Sequence, residues 1–264
     1  MTSSFPVGSG RGQSTEIATV APPPTFAIVI PALDEEEVIG QQVTEVIAAA
    51  AAPGFPARLT GVYVVDNGSR DRTAERAAAA GGIVVAEPRR GYGRACLSGV
   101  IAASDADLIV QMDGDCSDDS GDLPALLAPL LAGDGDLVIG SRTRGRAEPG
   151  SLLPQQRIGN WVAAVLLRLL YGVRVTDIGP LRVIRRAHLL SLNMQEMTYG
   201  WSVEMIARAA KRGLRIREVP VNYRRRAAGD SKVSGNARAA VVAGWRIIGA
   251  IARCRRADVD GDGK

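Results

Sequence analysis

The run LIVQMDGDCSDD, from Leu108 to Asp119, begins as a buried strand and ends among four carboxylates: Asp113, Asp115, Asp118 and Asp119. Crowded acids repel, so each raises the cost of ionising its neighbour. A bound cation relieves that cost, and so does a turn open to water. The two-residue spacing of Asp113 and Asp115 puts both carboxylates on one side of an extended strand end. Oxygens so placed suit Mg2+, which is commonly held by one or two carboxylates together with substrate phosphates. The chemistry on offer is metal-assisted handling of a phosphorylated compound, with an ordinary acidic turn as the alternative.

A cluster of opposite sign lies later, in RRRAAGDSKVSG, where Arg226 and Lys232 flank Gly229. Positive side chains can meet negative charge as it develops, and the glycine lets the backbone turn tightly between them. The net charge of +4 conceals this division: Met205 to Arg256 holds fourteen Lys or Arg against two acids, Glu218 and Asp230. An acidic first part and a basic last part suit a metal–phosphate site and an anion-facing surface. A solvated basic helix face is the plainer reading.

The elements that must position these groups follow from periodicity. FAIVIP (26–31), GVYVVD (61–66), GIVVAE (82–87), ADLIVQMD (106–113) and GDLVIGS (135–141) read as strands. Helical spacing separates them: Ile39, Val43, Val46, Ile47 and Ala50, then a helix capped by Ser69 or Asp71, then helices near 93–103 and 122–132. Apolar strands alternating with helices predict an α/β fold, a mostly parallel sheet covered on both faces. Right-handed crossovers place the ends of the first, second and fourth strands on one edge. There PALDEEE, DNGSRD and DGDCSDD converge, at the edge where such sheets bind ligands. The second half is less regular. It holds a long apolar helix (LPQQRIGNWVAAVLLRLLYG), a helix ended by Gly213, a strand or hairpin interrupted at Pro220, and a last helix from about Asn236 to Arg253.

The 264 residues suit one domain, from residue 26 to 253, between a disordered arm (1–25) and a disordered tail (254–264). Cys96, Cys116 and Cys254 form no C-x-x-C pair, which fits a reducing, cytoplasmic setting. No secretory signal is visible, and no run approaches the roughly 20 apolar residues of a membrane span. Aromatic content of 4% and the lack of a recognition motif argue against nucleic acid. His188, the single histidine, has no clustered partner. Cys116 is a poor ligand for Mg2+ and reads as structural. DVDGDGK stops short of a calcium loop.

Taken together, IVIPALDEEEVI, VVDNGSRDRT, MDGDCSDDSGDLPALL, GSR and RRRAAGDSKVSG resemble the family 2 glycosyltransferases, and most closely the dolichyl-phosphate (polyprenyl-phosphate) mannosyltransferase branch. The likeness runs from about Phe26 to Gly235. It implies a GT-A fold, a nucleotide diphosphate sugar donor (UDP- or GDP-linked), Mg2+ or Mn2+, and inversion at the anomeric carbon. By motif, Asp113 would contact the donor and Asp115 would hold the metal on its diphosphate. Pro31, Leu33, Glu35 and Asp66 would line base and ribose, Arg142 would face sugar or phosphate, and Arg226 and Lys232 would bind phosphates. The chain departs from the branch at Asp34 (usually Asn), Asn67 (commonly Asp) and Ser117 (often Gln).

The resulting expectation is transfer of a hexose to a phosphorylated acceptor, a polyprenyl phosphate at the inner face of the membrane. The basic Asn236–Arg256 segment and the Trp161–Tyr171 helix would supply peripheral contact. A hydroxyl acceptor would instead require a base, for which Asp177 and Glu204 are the candidates. The alternatives are a soluble transferase acting on a small hydroxyl acceptor, a sugar nucleotidyltransferase, and a non-catalytic nucleotide-sugar binder.

Overall fold

The computed structural model describes residues 23–227, 249–250 and 253–254. The first half alternates as its periodicity predicts. β1 (Thr25–Ala32) leads to α1 (Ile39–Ala50), β2 (Arg58–Asp66) to α2 (Thr73–Ala79), β3 (Ile83–Ala86) to α3 (Tyr92–Ala102), and β4 (Leu108–Gln111) to α4 (Leu123–Leu131). Then come β5 (Leu137–Ala147), α5 (Pro154–Tyr171), β6 (Arg182–Arg185), α6 (Arg186–Ser191), α7 (Trp201–Lys211) and β7 (Ile216–Tyr223).

The seven strands form one sheet in the order β3-β2-β1-β4-β6-β5-β7. β1 pairs in parallel with both β2 and β4, and β5 pairs in parallel with β7; β6 runs antiparallel to β4 and β5. An apolar core covers each face. One joins Val29, Val65, Cys96, Ile109, Leu137 and Trp201, and the other joins Ile28, Val64, Val43, Leu126, Val110 and Val183. Alternate residues of each central strand feed opposite cores, as the pleat dictates.

Several expectations need correction. β6 is absent from the sequence reading because four residues, RVIR, ending in charge give too short a pattern to stand out. β7 is one continuous strand, not a hairpin. It lies at the sheet edge, where Pro220 pairs with Ser141 and its missing N–H costs no ladder bond to a further strand. α2 starts at Thr73 with Arg72 at its N-cap, not Ser69 or Asp71. Asp71 still accepts from Thr73 N (3.0 Å), so it satisfies one exposed amide of the first turn. Thr25, assigned to the arm, is the first residue of β1. Most of the arm, the tail and the Asn236–Arg256 segment, with Lys232, Gly229 and Trp245, lies outside the described residues. Of the other tryptophans, Trp201 is core and Trp161 is exposed. No helix among the described residues is long and apolar enough to cross a membrane.

Candidate active site

The loops after β1, β2 and β4 meet, as the crossover rule requires. Asp34 N donates to Ser69 Oγ (3.0 Å), and Arg70 N donates to Asp34 Oδ1 (2.8 Å). Glu36 N donates to Asp71 Oδ2 (3.1 Å), and Arg72 N returns a bond to Glu36 Oε2 (3.0 Å). Asp34, the extra acid of the first loop, is therefore held by the second and adopts φ 51° there. Asp66 accepts from Ser69 N (2.8 Å) at the end of β2. Pro31 and Leu33 are half-buried on the same rim.

Asn67 does something the sequence did not disclose. Its Nδ2 donates to Glu87 O (2.8 Å) and Arg89 O (2.9 Å), and its Oδ1 accepts from Gly91 N (2.8 Å). A carboxylate could accept but not donate, so the amide suits this position better than the commoner Asp. Its bonds fix the loop that starts α3. There a side chain on Gly93 would collide with the carbonyl of Glu196, so glycine lets two backbones touch.

α3 begins with Tyr92, whose Oη donates to Asp113 Oδ1 (3.2 Å). Asp113 N donates to Asp118 Oδ2 (3.1 Å). Asp115 Oδ1 accepts from Ser117 N (3.0 Å) and from Ser117 Oγ (2.5 Å). Asp115 Oδ2 pairs with Arg226 Nη2 (3.0 Å), and Arg226 Nη1 pairs with Glu35 Oε1 (2.7 Å). One guanidinium thus joins the first acidic loop to the third. Cys116 packs inside the turn at φ 59°, buried, in keeping with a structural role. Asp118 is wholly buried, and its Oδ1 has no hydrogen-bond partner. Burial and the neighbouring carboxylates Asp113 and Asp115 push its pKa well up. Burial and Asp115 likewise raise Asp113 to about 7.

Of the residues singled out by sequence, the structure brings together Asp113, Asp115, Glu35 and Arg226, with Pro31, Leu33 and Asp66 on the same rim. Arg142, Asp177 and Glu204 are each engaged by protein partners, and Arg142 lies close enough to Asp113 and Asp118 to oppose the rise of their pKa values. Arg142 forms a double bond pair with Asp177, Nε to Oδ2 and Nη2 to Oδ1, each at 2.8 Å. Its backbone N also donates to Asp177 Oδ2 (2.9 Å), and its guanidinium carbon lies 4.9 Å from the centre of the Tyr223 ring. Asn160 of α5 donates to Asp177 as well. Burial alone would raise the Asp177 pKa, but the bonds from Arg142 win and hold it below the ordinary value. Glu204 accepts from Gln195 N (3.0 Å) and pairs with Arg208 (2.7 Å). A base must reach a substrate proton. In this structure Asp177 and Glu204 are both buried and their carboxylates are taken up by protein partners. Sequence reasoning also passed over Arg182. It lies buried in β6 and donates to the carbonyls of Pro180 (3.1 Å), Ser202 (3.1 Å) and Ile178 (3.2 Å). His188 lies half-buried on α6, away from this edge.

The acidic loop fits a hard divalent cation. Its donors are carboxylate oxygens, and a cationic group already rests on Asp115 and Glu35 in the form of Arg226. Among the described residues no three His, Cys, Asp or Glu side chains form a ready ligand set. Asp115, with Asp113 beside it, would therefore hold a metal together with oxygens brought by a ligand.

Comparison with known proteins decides the family. The model for glycosyl transferase family 2 matches residues 27–191, from β1 to the end of α6. The chain is a family 2 glycosyltransferase. An uncharacterized glycosyltransferase of Mycobacterium tuberculosis is 40% identical over 225 residues, covering 84% of this chain and 96% of that protein. The dolichyl-phosphate hexose transferase of Haloferax volcanii is 35% identical over 210 residues, covering 79% of this transferase and 86% of the relative. In structure the transferase resembles glucosyl-3-phosphoglycerate synthase of M. tuberculosis in complex with UDP: TM-score 0.69, 26% identity, 88% of this chain and 80% of that one. The same synthase with Mn2+, UDP-glucose and phosphoglyceric acid gives TM-score 0.69 at 25% identity, over the same shares. The expected GT-A α/β fold and glycosyltransferase activity class are therefore those of this chain.

Proposed function

We propose that this glycosyltransferase moves a hexose from a nucleotide diphosphate sugar to a phosphorylated acceptor, with inversion and with Mg2+ or Mn2+ bound. The observation that carries the reading is the Asp113–Gly114–Asp115 turn at the carboxyl edge of β4, facing Glu35 and Arg226. Pro31, Leu33, Glu35 and Asp66 line the place for base and ribose. Asp113 orients the donor, held by Tyr92 and by Asp118. Arg226, and Lys232 by its motif, neutralise the diphosphate as the bond to the sugar lengthens. When bound, the metal supplies a Lewis acid at the leaving diphosphate.

The acceptor oxygen attacks the anomeric carbon as the nucleoside diphosphate departs from the opposite face. A phosphate acceptor is already an anion near neutral pH and needs no base. The engagement of Asp177 and Glu204 elsewhere favours such an acceptor over a sugar hydroxyl. Within that class we favour a polyprenyl phosphate, because relatives that cover most of the chain include a dolichyl-phosphate hexose transferase. UDP is the preferred nucleotide, since it is bound by the solved structures of similar fold. The exposed Ile158, Trp161 and Leu169 of α5 suit contact with a lipid surface.

The test is transfer of label from UDP-glucose, UDP-galactose and GDP-mannose, with Mg2+ or Mn2+, to a polyprenyl phosphate in detergent or to phosphoglycerate in water. Solvent-extractable label that depends on the lipid phosphate is expected. Label found only in phosphoglycerate would replace the acceptor. Release of pyrophosphate would replace transfer with nucleotidyl chemistry.

A further inference from the structure

Arg226 stands where a cation belongs. Its two terminal nitrogens are divided between Glu35 Oε1 (2.7 Å) and Asp115 Oδ2 (3.0 Å), and Ala227 N donates to the Asp115 carbonyl (3.3 Å). Its side chain is 24% exposed, whereas those of Glu35 and Asp115 are 8% and 7% exposed. The arginine therefore lies across the two carboxylates on the open side. It is carried by the chain that follows β7, whose backbone is anchored on either side of it by Arg225 N to Glu148 Oε2 (2.8 Å) and by Ala227 N, so that the side chain and not the backbone is the part that can change partner. The other oxygen of Asp115 belongs to Ser117, which leaves Oδ2 as the oxygen a metal would take.

We infer that Arg226 holds the metal's place in the unliganded enzyme and must leave Asp115 before the metal can enter. This rests on the donor and metal reading given above. Charge decides the order of events. A metal arriving alone would face a guanidinium at close range and would take one of its two carboxylate partners, leaving it only Glu35, which is costly in a partly buried site. A nucleoside diphosphate arriving with the metal brings its own anion. Arg226 would then exchange Asp115 for a phosphate oxygen, Asp115 would be released to hold the metal, and every charge would keep a partner. Metal and donor consequently bind together, and Arg226 changes from guard of the metal site to ligand of the diphosphate. The apparent affinity for metal alone is reduced by the fraction of molecules in which Asp115 is free.

The experiment measures Mn2+ binding by the electron paramagnetic resonance of free Mn2+, with and without UDP, for the wild type, Arg226→Gln and Arg226→Lys. Wild type should bind Mn2+ weakly alone and much more tightly with UDP. Arg226→Gln should bind Mn2+ alone about tenfold more tightly than wild type, because nothing competes for Asp115. Arg226→Lys, which keeps a cation, should stay nearer the wild type. Unchanged or weaker Mn2+ binding in Arg226→Gln, with UDP-dependent binding intact in the wild type, overturns the inference and leaves the metal reading standing. Absence of Mn2+ binding in any state, UDP included, overturns both. Should Arg226→Gln fail to fold, the wild type alone decides: Mn2+ affinity that UDP does not change overturns the inference.

Discussion

Asp115 and Asp177 are both buried carboxylates paired with arginine, yet the two pairs are built to different ends. Asp177 is closed in: its side chain is 0% exposed, Arg142 bonds it three times, and Asn160 adds a fourth donor. Tyr223 lies against the guanidinium, and a side chain on Gly179 would crowd Arg142 Nε at 3.0 Å. Asp115 shares its arginine with Glu35 through single contacts, and that arginine is reached from solvent. A pair enclosed on every side fixes β5, α5 and the segment before β6 to one another. A pair open on one side can be exchanged for a ligand.

The largest expected effect lies at the open pair. Asp115→Ala should lower transfer by about a thousandfold or more, since a metal at the leaving diphosphate is worth several kcal/mol in the transition state. The fold should survive, because the neighbouring strand and core are untouched. Transfer assays beside circular dichroism check both parts. Near-normal turnover in the variant with EDTA present would remove Asp115 from the chemistry.

Asp177→Ala should do the reverse. It leaves a buried Arg142 without its partner, and loss of one member of a buried pair costs about 3–5 kcal/mol of stability. A large fall in the urea midpoint is expected, with activity falling only as far as the folded fraction falls. Because the Asp177 carboxyl is held below its ordinary value, its contribution is complete above about pH 4 and fades as acid approaches the lowered folded-state value. The gap between wild type and variant should therefore narrow on acidification. A variant as stable as the wild type but inactive would return Asp177 to the role of base.

Much of this contrast was legible in the sequence, and part of it was not. The convergence of Asp113, Glu35 and Asp66 follows from strand alternation and crossover handedness, so no side-chain contact had to be known. The fate of Asp177 depends on Arg142, 35 positions away, and on Glu218, whose carboxylate accepts from Asp177 N (3.0 Å). Neither spacing has a period to betray it. β6 was too short to register, and with it went Arg182, since a charged residue in a strand reads as exposed until its carbonyl partners are seen. Asn67 read as a lost carboxylate. Its three bonds to the 87–91 loop are non-local and show it to be a fastening.

A smaller effect should come from Tyr92, which the GYG stretch hid between two glycines. Tyr92→Phe removes the donor to Asp113 (3.2 Å) while keeping the ring. A hydrogen bond to a charged acceptor is worth about 1.5–3 kcal/mol at most, and this long one should fall at the low end. A loss of about tenfold in kcat/KM is expected, with stability nearly unchanged. The measurement refines the contrast: Tyr92 belongs to the exchangeable side if kcat/KM moves, and to the fixed framework if only stability does.

The smallest effect should appear at a third arginine–carboxylate pair. Glu87 accepts from Arg89 N and Nε (each 3.0 Å), from Arg89 Nη2 (3.1 Å) and from Ser98 Oγ (2.9 Å). Arg89 is 70% exposed, so water and salt screen this pair far more than that of Asp177. The bonds from Arg89, then that from Ser98, lower the Glu87 carboxyl to about 2. A depressed folded-state value places the stabilisation above the unfolded value, near pH 4.5, and removes it as pH falls toward 2. Glu87→Gln should therefore melt slightly below the wild type at pH 7, with a gap much smaller than that of Asp177→Ala. The gap should shrink with added salt and close as the pH is taken down from 4.5 toward 2. Thermal melts at two salt concentrations across that range test the ranking. A Glu87→Gln deficit that equals that of Asp177→Ala and ignores salt would mean that enclosure of the arginine does not separate framework pairs from surface ones in this fold.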